Sequence, residues 1–186
     1  MDYAIYKGIR GAAWHCLIDC GVDKLPIPVG KLLGNYGIDI KINSEVHILD
    51  PWESGRIVSI NKTPYIIMQD GQSQQRLRFT AMHELGHYLL GHLGDNSREL
   101  SRSHIKAPQE QEADMFAARV LMPSCVLWAL GLEDALEISI ACNVSYQAGI
   151  VRAKRMAVLR SRNKFLTDPL ERRVYEQFKP YIDSVK

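Results

Sequence analysis

From Tyr3 onward apolar residues recur with a helical period, with Ile5, Ile9, Ala12 or Ala13, and Cys16 or Leu17 on one side, so residues 3 to 20 are predicted as a helix. KLPIPVGKLLGNYGIDI follows. Its two prolines, its short periodic stretch and then Gly34 and Gly37 predict a loop, a short helix and its stop. IDIKI alternates apolar and polar residues, as a strand does. RIVSI and PYIIMQ are β-branched and apolar and flank Asn61, Lys62 and Thr63, which is a hairpin signal, and Asp70-Gly71 marks a turn. The period becomes helical from about Gln74 to Gly91 and again from Pro108 to Met122, where Pro123 ends it. Residues 124 to 165 read as mostly helical with breaks near Gly131 and Asn143, and Asp168-Pro169 opens a last helix to about residue 183. The order is a helix, a small sheet, then many helices. It predicts an α+β fold in which a small twisted sheet packs on the 74–91 helix, with a mostly helical C-terminal half. A core over residues 1–130 is expected, with a helical region over 131–186 packed on it.

The polar positions of the 74–91 helix change this picture. FTAMHELGHYLLGH contains His83-Glu84-Leu85-Gly86-His87, of the form H-E-x-x-H. Histidines four apart lie one above the other on a helix, so both imidazoles can face one metal ion. Glu84 is turned about 60° from His87 around the axis. It can then lie beside the ion, where a general base for a water molecule belongs. On a helical wheel Leu77, Ala81, Leu85, Tyr88 and Leu89 form a packing face, and Thr80, His83, Glu84, His87 and Gly91 a chemical one. Gly86 costs about 0.8–1.0 kcal/mol in a helix interior relative to Ala. Close approach of another segment would account for it. His92 lies five residues past His87 and is read as a helix-end residue pointing elsewhere.

Two histidines leave a catalytic zinc site short of its third protein ligand. The downstream candidates are His104, Glu110, Glu112 and Asp114. In PQEQEADMFAARVLMP, Glu110, Ala113, Asp114, Ala117 and Leu121 share a stripe read as inward, while Glu112 falls nearly opposite and is read as exposed. A carboxylate on an apolar face needs a partner. A metal would meet Glu110, and the N–H of a ligand imidazole would meet Asp114. His104, in the polar stretch NSRELSRSHIK, is the second choice.

FTAMHELGHYLLGH followed by EQEADMFAARVLMP resembles the ImmA/IrrE family of bacterial metallopeptidases, which are gluzincins. KLPIPVGKLLGNYGIDI is similar to the family's segment before its sheet, and ISIACNVSYQAGIVR to the helical segment after its core. The resemblance implies one zinc ion held by His83, His87 and Glu110, with Glu84 as the catalytic acid/base and Asp114 as the acid of an E-x-x-x-D pattern behind the ligands. It also implies limited cleavage of a repressor-type DNA-binding regulator, in mobile-element or stress-response circuits. Cys142 and the helix over 168–184 depart from the pattern.

Composition narrows the alternatives. At 46% hydrophobic and 24% charged residues the chain reads as a soluble globular protein, and a net charge of +2 exerts no overall pull on nucleic acid. Asp2, Lys7, Arg10 and Asp19 interrupt the N-terminal apolar positions, which argues against a secretory signal, and no run approaches the roughly 18 apolar residues of a spanning helix. A cytoplasmic location and no membrane partner are expected. Cys16, Cys20, Cys125 and Cys142 form no C-x-x-C pair and are expected as reduced, partly buried thiols. A competing reading is a DNA-binding module, since residues 134–156 have the cadence of a helix-turn-helix. Arg152, Lys154, Arg155, Arg160 and Arg162 follow with no acidic residue among them. Only half of such a motif is present, so direct nucleic-acid binding is not expected. For an oxyanion-stabilising donor, Tyr146, His104 and Arg152 remain open.

Overall fold

β2 (Gly55–Ile60) and β3 (Thr63–Met68) form the antiparallel hairpin, with Ile60 opposite Thr63 and Gly55 opposite Met68. The loop is therefore one residue shorter than the sequence suggested. Asn61 takes φ 52, the left-handed conformation that tight hairpin connections use and that Asn tolerates. β1 (Asp39–Ile42) flanks β3 on its other side and runs parallel to it, giving the order β1-β3-β2. Ile66 and Ile67 point to opposite faces of the sheet, yet both are fully buried, so the central strand is covered on both faces. This is a computed structural model, and it describes residues 2–61, 63–93 and 107–186. His104 lies outside the described residues.

α4 (Gln74–Leu89) packs on β2, β3 and α2 (Val29–Asn35). Ser73 caps it, accepting from the Arg76 N–H at 3.3 Å. The wheel divided this helix into a packing face and a chemical face. In the structure every residue from Thr80 to His87 is buried, while Tyr88, assigned to the packed face, is 39% exposed. The sheet covers one side of the helix, and α5 (Ala107–Leu121) closes on another at Gly86. Embedding of this kind replaces the two-faced pattern of a surface helix.

Two compact units divide the chain, one of residues 1–9 with 29–117 and one of residues 10–28 with 118–186. The first holds the sheet, α2, α3 (Asn43–Val46), α4 and the start of α5, and takes its opening residues from α1 (Tyr3–Asp19). The second holds α6 (Ser124–Ala129), α7 (Ala135–Cys142), α8 (Tyr146–Ser161) and α9 (Pro169–Val185). The breaks expected at Gly131 and Asn143 are present, with φ 71 and φ 50. Gly149 allows α8 to reach the backbone of Ala135 in α7, where any Cβ would collide. α9, the segment that matched no family pattern, is an integral part of its unit. Asp168 caps it, Val174, Phe178 and Ile182 are buried, and Gln177 donates to the Leu17 carbonyl at 2.9 Å.

The α+β expectation therefore holds. No helix among the described residues is long and apolar enough to cross a membrane. All four cysteines are free and buried, and burial first of all pushes the Cys125 thiol up to about 12, which keeps it protonated and unreactive.

Candidate metal centre

α4 and α5 bring three ligand-type side chains together. The Nε2 atoms of His83 and His87 lie 3.0 Å apart. Glu110 places one oxygen 3.3 Å from His83 Nε2 and the other 3.7 Å from His87 Nε2. A tetrahedral site with bonds of about 2.0–2.2 Å has ligand–ligand edges of about 3.3–3.6 Å. The spread of 3.0 to 3.7 Å brackets that value, so the three residues fit one ion. Among the described residues they are the group able to hold a metal. The histidine side chains are 10% and 1% exposed and the Glu110 side chain 34%, so the group is closed on the α4 side and reached by solvent on the α5 side.

Each histidine uses its other ring nitrogen. His83 Nδ1 is 2.8 Å from Asp114 Oδ1, so Asp114 does back a ligand histidine as expected and the structure identifies which, although Asp114 is 57% exposed and does not sit on an inward stripe. Burial lowers the His83 pKa. The Asp114 hydrogen bond and the charges of Glu84, Asp114 and Glu110 outweigh it, and the net shift is upward. A proton there is one that a metal must displace.

His87 Nδ1 is 2.9 Å from His92 Nδ1, and His92 Nε2 is 3.1 Å from Glu112 Oε2. Two sequence expectations are corrected here. His92 does not point away from the site, and Glu112 is not a solvated residue, its side chain being 16% exposed and that of His92 only 5%. The cause is a turn. His92 N–H bonds the His87 carbonyl at 3.0 Å and Gly91 N–H the Tyr88 carbonyl at 3.3 Å, with Gly91 at φ 71. This is a glycine-terminated helix end that folds the chain back over its last turn. A helical wheel continued through Gly91 misplaces everything after it. The Leu-Gly-His run was the available signal.

Glu84 is buried beside the ligand group and accepts from the Ile57 N–H at 3.0 Å. β2 is an edge strand, and this N–H points off its free edge toward α4. Gly55, which the sequence reading passed over, makes the approach possible. A Cβ there would press on Thr80 and on the Ile67 carbonyl.

Gly86 has the same role between the helices. A Cβ on it would lie 3.1 Å from Phe116 and 3.2 to 3.3 Å from Ala113 backbone atoms. Backbone cannot rotate away as a side chain can. Gly86→Ala is therefore expected to lower stability by roughly 1–2 kcal/mol, overpacking outweighing the gain in helix propensity, and to weaken metal uptake by displacing Glu110. Chemical denaturation and zinc titration measure the two effects. An Ala variant more stable than wild type would show that α5 does not press on α4 at this point.

The other donor candidates and one residue of the basic run are placed as follows. Arg152 is buried and its guanidinium donates to the Met122 carbonyl, while Tyr146 is 58% exposed in the first turn of α8. Arg160 pairs with Glu133 at 2.6 Å.

Fold and site together define an α+β chain with a metal-capable His–His–Glu group between α4 and α5 and a carboxylate beside it. Residues 37–154 match the IrrE N-terminal-like domain of the Peptidase M78 family, and the chain belongs to that family. The resemblance seen in the motifs is thereby borne out for the family. No curated protein matches the chain.

Proposed function

We propose that the protein is a zinc-dependent endopeptidase that makes limited, site-specific cuts in a cytosolic DNA-binding regulator of repressor type. One observation carries the chemistry: His83, His87 and Glu110 converge while Glu84 stands beside them against a free strand edge. Two imidazole nitrogens and one carboxylate suit zinc and leave a fourth position for water or substrate. Bound zinc would supply Lewis-acid polarisation of the scissile carbonyl and make water a better nucleophile. Glu84 takes the proton of the attacking water and returns it to the leaving amine. The hydrogen bond from Ile57 N–H holds the Glu84 carboxylate in place between proton transfers. The free edge of β2 supports docking of the substrate as an added strand, since peptides bind exposed edges through main-chain hydrogen bonds. Glu84 then stands at the level of Ile57 along that edge.

The regulator class is suggested by the resemblance of the motifs, and the limited scope by a physical argument, since indiscriminate cleavage in the cytosol would damage the host. We infer no direct DNA reading by α7 and α8. Two of the basic residues that prompted that alternative are engaged, Arg152 inward and Arg160 with Glu133.

The test is metal analysis followed by digestion. The purified protein should hold about one zinc per chain. The loaded protein should cut the repressor-like protein encoded beside it at one or a few bonds and leave casein largely intact. Rapid casein digestion with an untouched repressor would reject limited proteolysis, and a protein that takes up no zinc would reject the enzyme.

A further inference from the structure

The two ligand histidines are held from behind in different ways. His83 meets a carboxylate directly, Asp114 at 2.8 Å. His87 meets another imidazole, and only that imidazole meets a carboxylate. The difference fixes protons. Two ring nitrogens 2.9 Å apart must share one hydrogen, one donating and the other accepting. His87 turns Nε2 toward His83 and Glu110, so a lone pair on Nε2 leaves its hydrogen on Nδ1. His92 Nδ1 must then accept, the hydrogen of neutral His92 lies on Nε2, and Nε2 faces Glu112 Oε2 at 3.1 Å. Every link has a donor and an acceptor. The reverse arrangement fails at both ends: it puts the hydrogen of neutral His87 on Nε2, where the lone pair for the ion is needed, and sets the bare Nε2 of His92 against a carboxylate.

The geometry around this chain is constrained. The rings of His87 and His92 stand edge to face, at 68° with centroids 5.0 Å apart. The Gly91 turn fixes the His92 backbone through its bond to the His87 carbonyl. Glu112 comes from α5, the helix that also supplies Glu110 and Asp114. One helix thus carries a metal-facing carboxylate and the two carboxylates that back the histidines.

We propose that His92, backed by Glu112, is a positioning residue that fixes the ring orientation and the Nδ1–H tautomer of His87, and so sets the zinc affinity of the site. This rests on the reading of His83, His87 and Glu110 as metal ligands. Partners behind ligating histidines raise ligand basicity and hold the ring, and their loss typically costs about 10- to 100-fold in metal affinity.

The experiment measures zinc affinity by chelator competition in the full chain, and ring protonation by nitrogen NMR of the zinc-loaded protein. His92→Phe keeps the ring volume but removes the acceptor and should weaken zinc by about 10- to 100-fold. His92→Asn returns an acceptor oxygen near the place of Nδ1 and should recover most of that loss. Glu112→Ala should fall between, at about 3- to 10-fold. In the wild type the hydrogen of His92 should lie on Nε2 and that of His87 on Nδ1. A purely structural role for His92 would produce neither the Phe-to-Asn contrast nor the fixed pair of tautomers. Equal affinity of His92→Phe and wild type, or a His92 protonated on Nδ1 alone, overturns the relay. Should His92→Phe not fold, the wild-type tautomer and Glu112→Ala still decide. A wild type that takes up no zinc overturns the proposed function and the relay with it. A wild type that binds zinc no better than His92→Phe overturns the relay alone.

Discussion

Glu84→Gln is expected to bind zinc as wild type does and to lose about 10²- to 10⁴-fold in peptide hydrolysis, the span usual for removing a general acid–base. The structure makes this substitution a clean one. Glu84 is not part of the His83–His87–Glu110 group, so the ligand set is untouched. Its visible hydrogen bond is accepted from the Ile57 N–H, and an amide oxygen accepts that bond equally well. The β2 edge and α4 should therefore keep their spacing. What the amide lacks is a basic lone pair able to take a proton at neutral pH. Zinc content, thermal stability and the rate of repressor cleavage are the three measurements. A variant with wild-type rate would remove Glu84 from the chemistry, and a variant without zinc would mean that its charge helps hold the ion.

Glu110→Ala should weaken zinc by more than about 100-fold, beyond the usual cost of losing a partner that only backs a ligand. The carboxylate spans both histidines, with one oxygen toward each. Its removal leaves two imidazoles and solvent. Because the side chain is 34% exposed, truncation opens no sealed cavity, and the fold should survive. Zinc titration of Glu110→Ala beside Glu112→Ala is the comparison that matters. The sequence alone predicted almost no effect at Glu112, and the structure predicts a moderate one through His92. If Glu110→Ala bound zinc as tightly as wild type, the third ligand would have to come from another residue.

The α+β order, the hairpin, the motif helix and its pairing with a downstream acidic helix were legible because each rests on local information. Alternation makes a strand, a 3.6-residue period makes a helix, and spacing of four stacks two histidines. Pro123, Asn143 and Asp168-Pro169 likewise announce helix boundaries through backbone chemistry confined to a few residues. That Asp114 would back one of the ligand histidines was reachable by the same logic, though not which one.

What failed did so where the chain stopped being regular or where another element closed in. The wheel of α4 separated a packing face from a chemical one, and the sheet and α5 bury Thr80 to His87 all round. The phase of α4 was carried through Gly91, whose left-handed conformation returns His92 to the outer face of His87. The wheel of α5 gave Glu112 to solvent because it could not see a histidine arriving from a turn twenty residues earlier. Gly55 went unread, and Gly86, whose cost in a helix did point to a close approach, could not say which segment approaches, since the reason for both is the atoms of another element lying where a Cβ would be. The sequence by itself therefore determined which residues bear the chemistry and on which helices they lie. The tertiary structure alone decided which carboxylate meets which imidazole, because that depends on interhelical distance and on one glycine's positive φ, and neither is encoded in a periodicity.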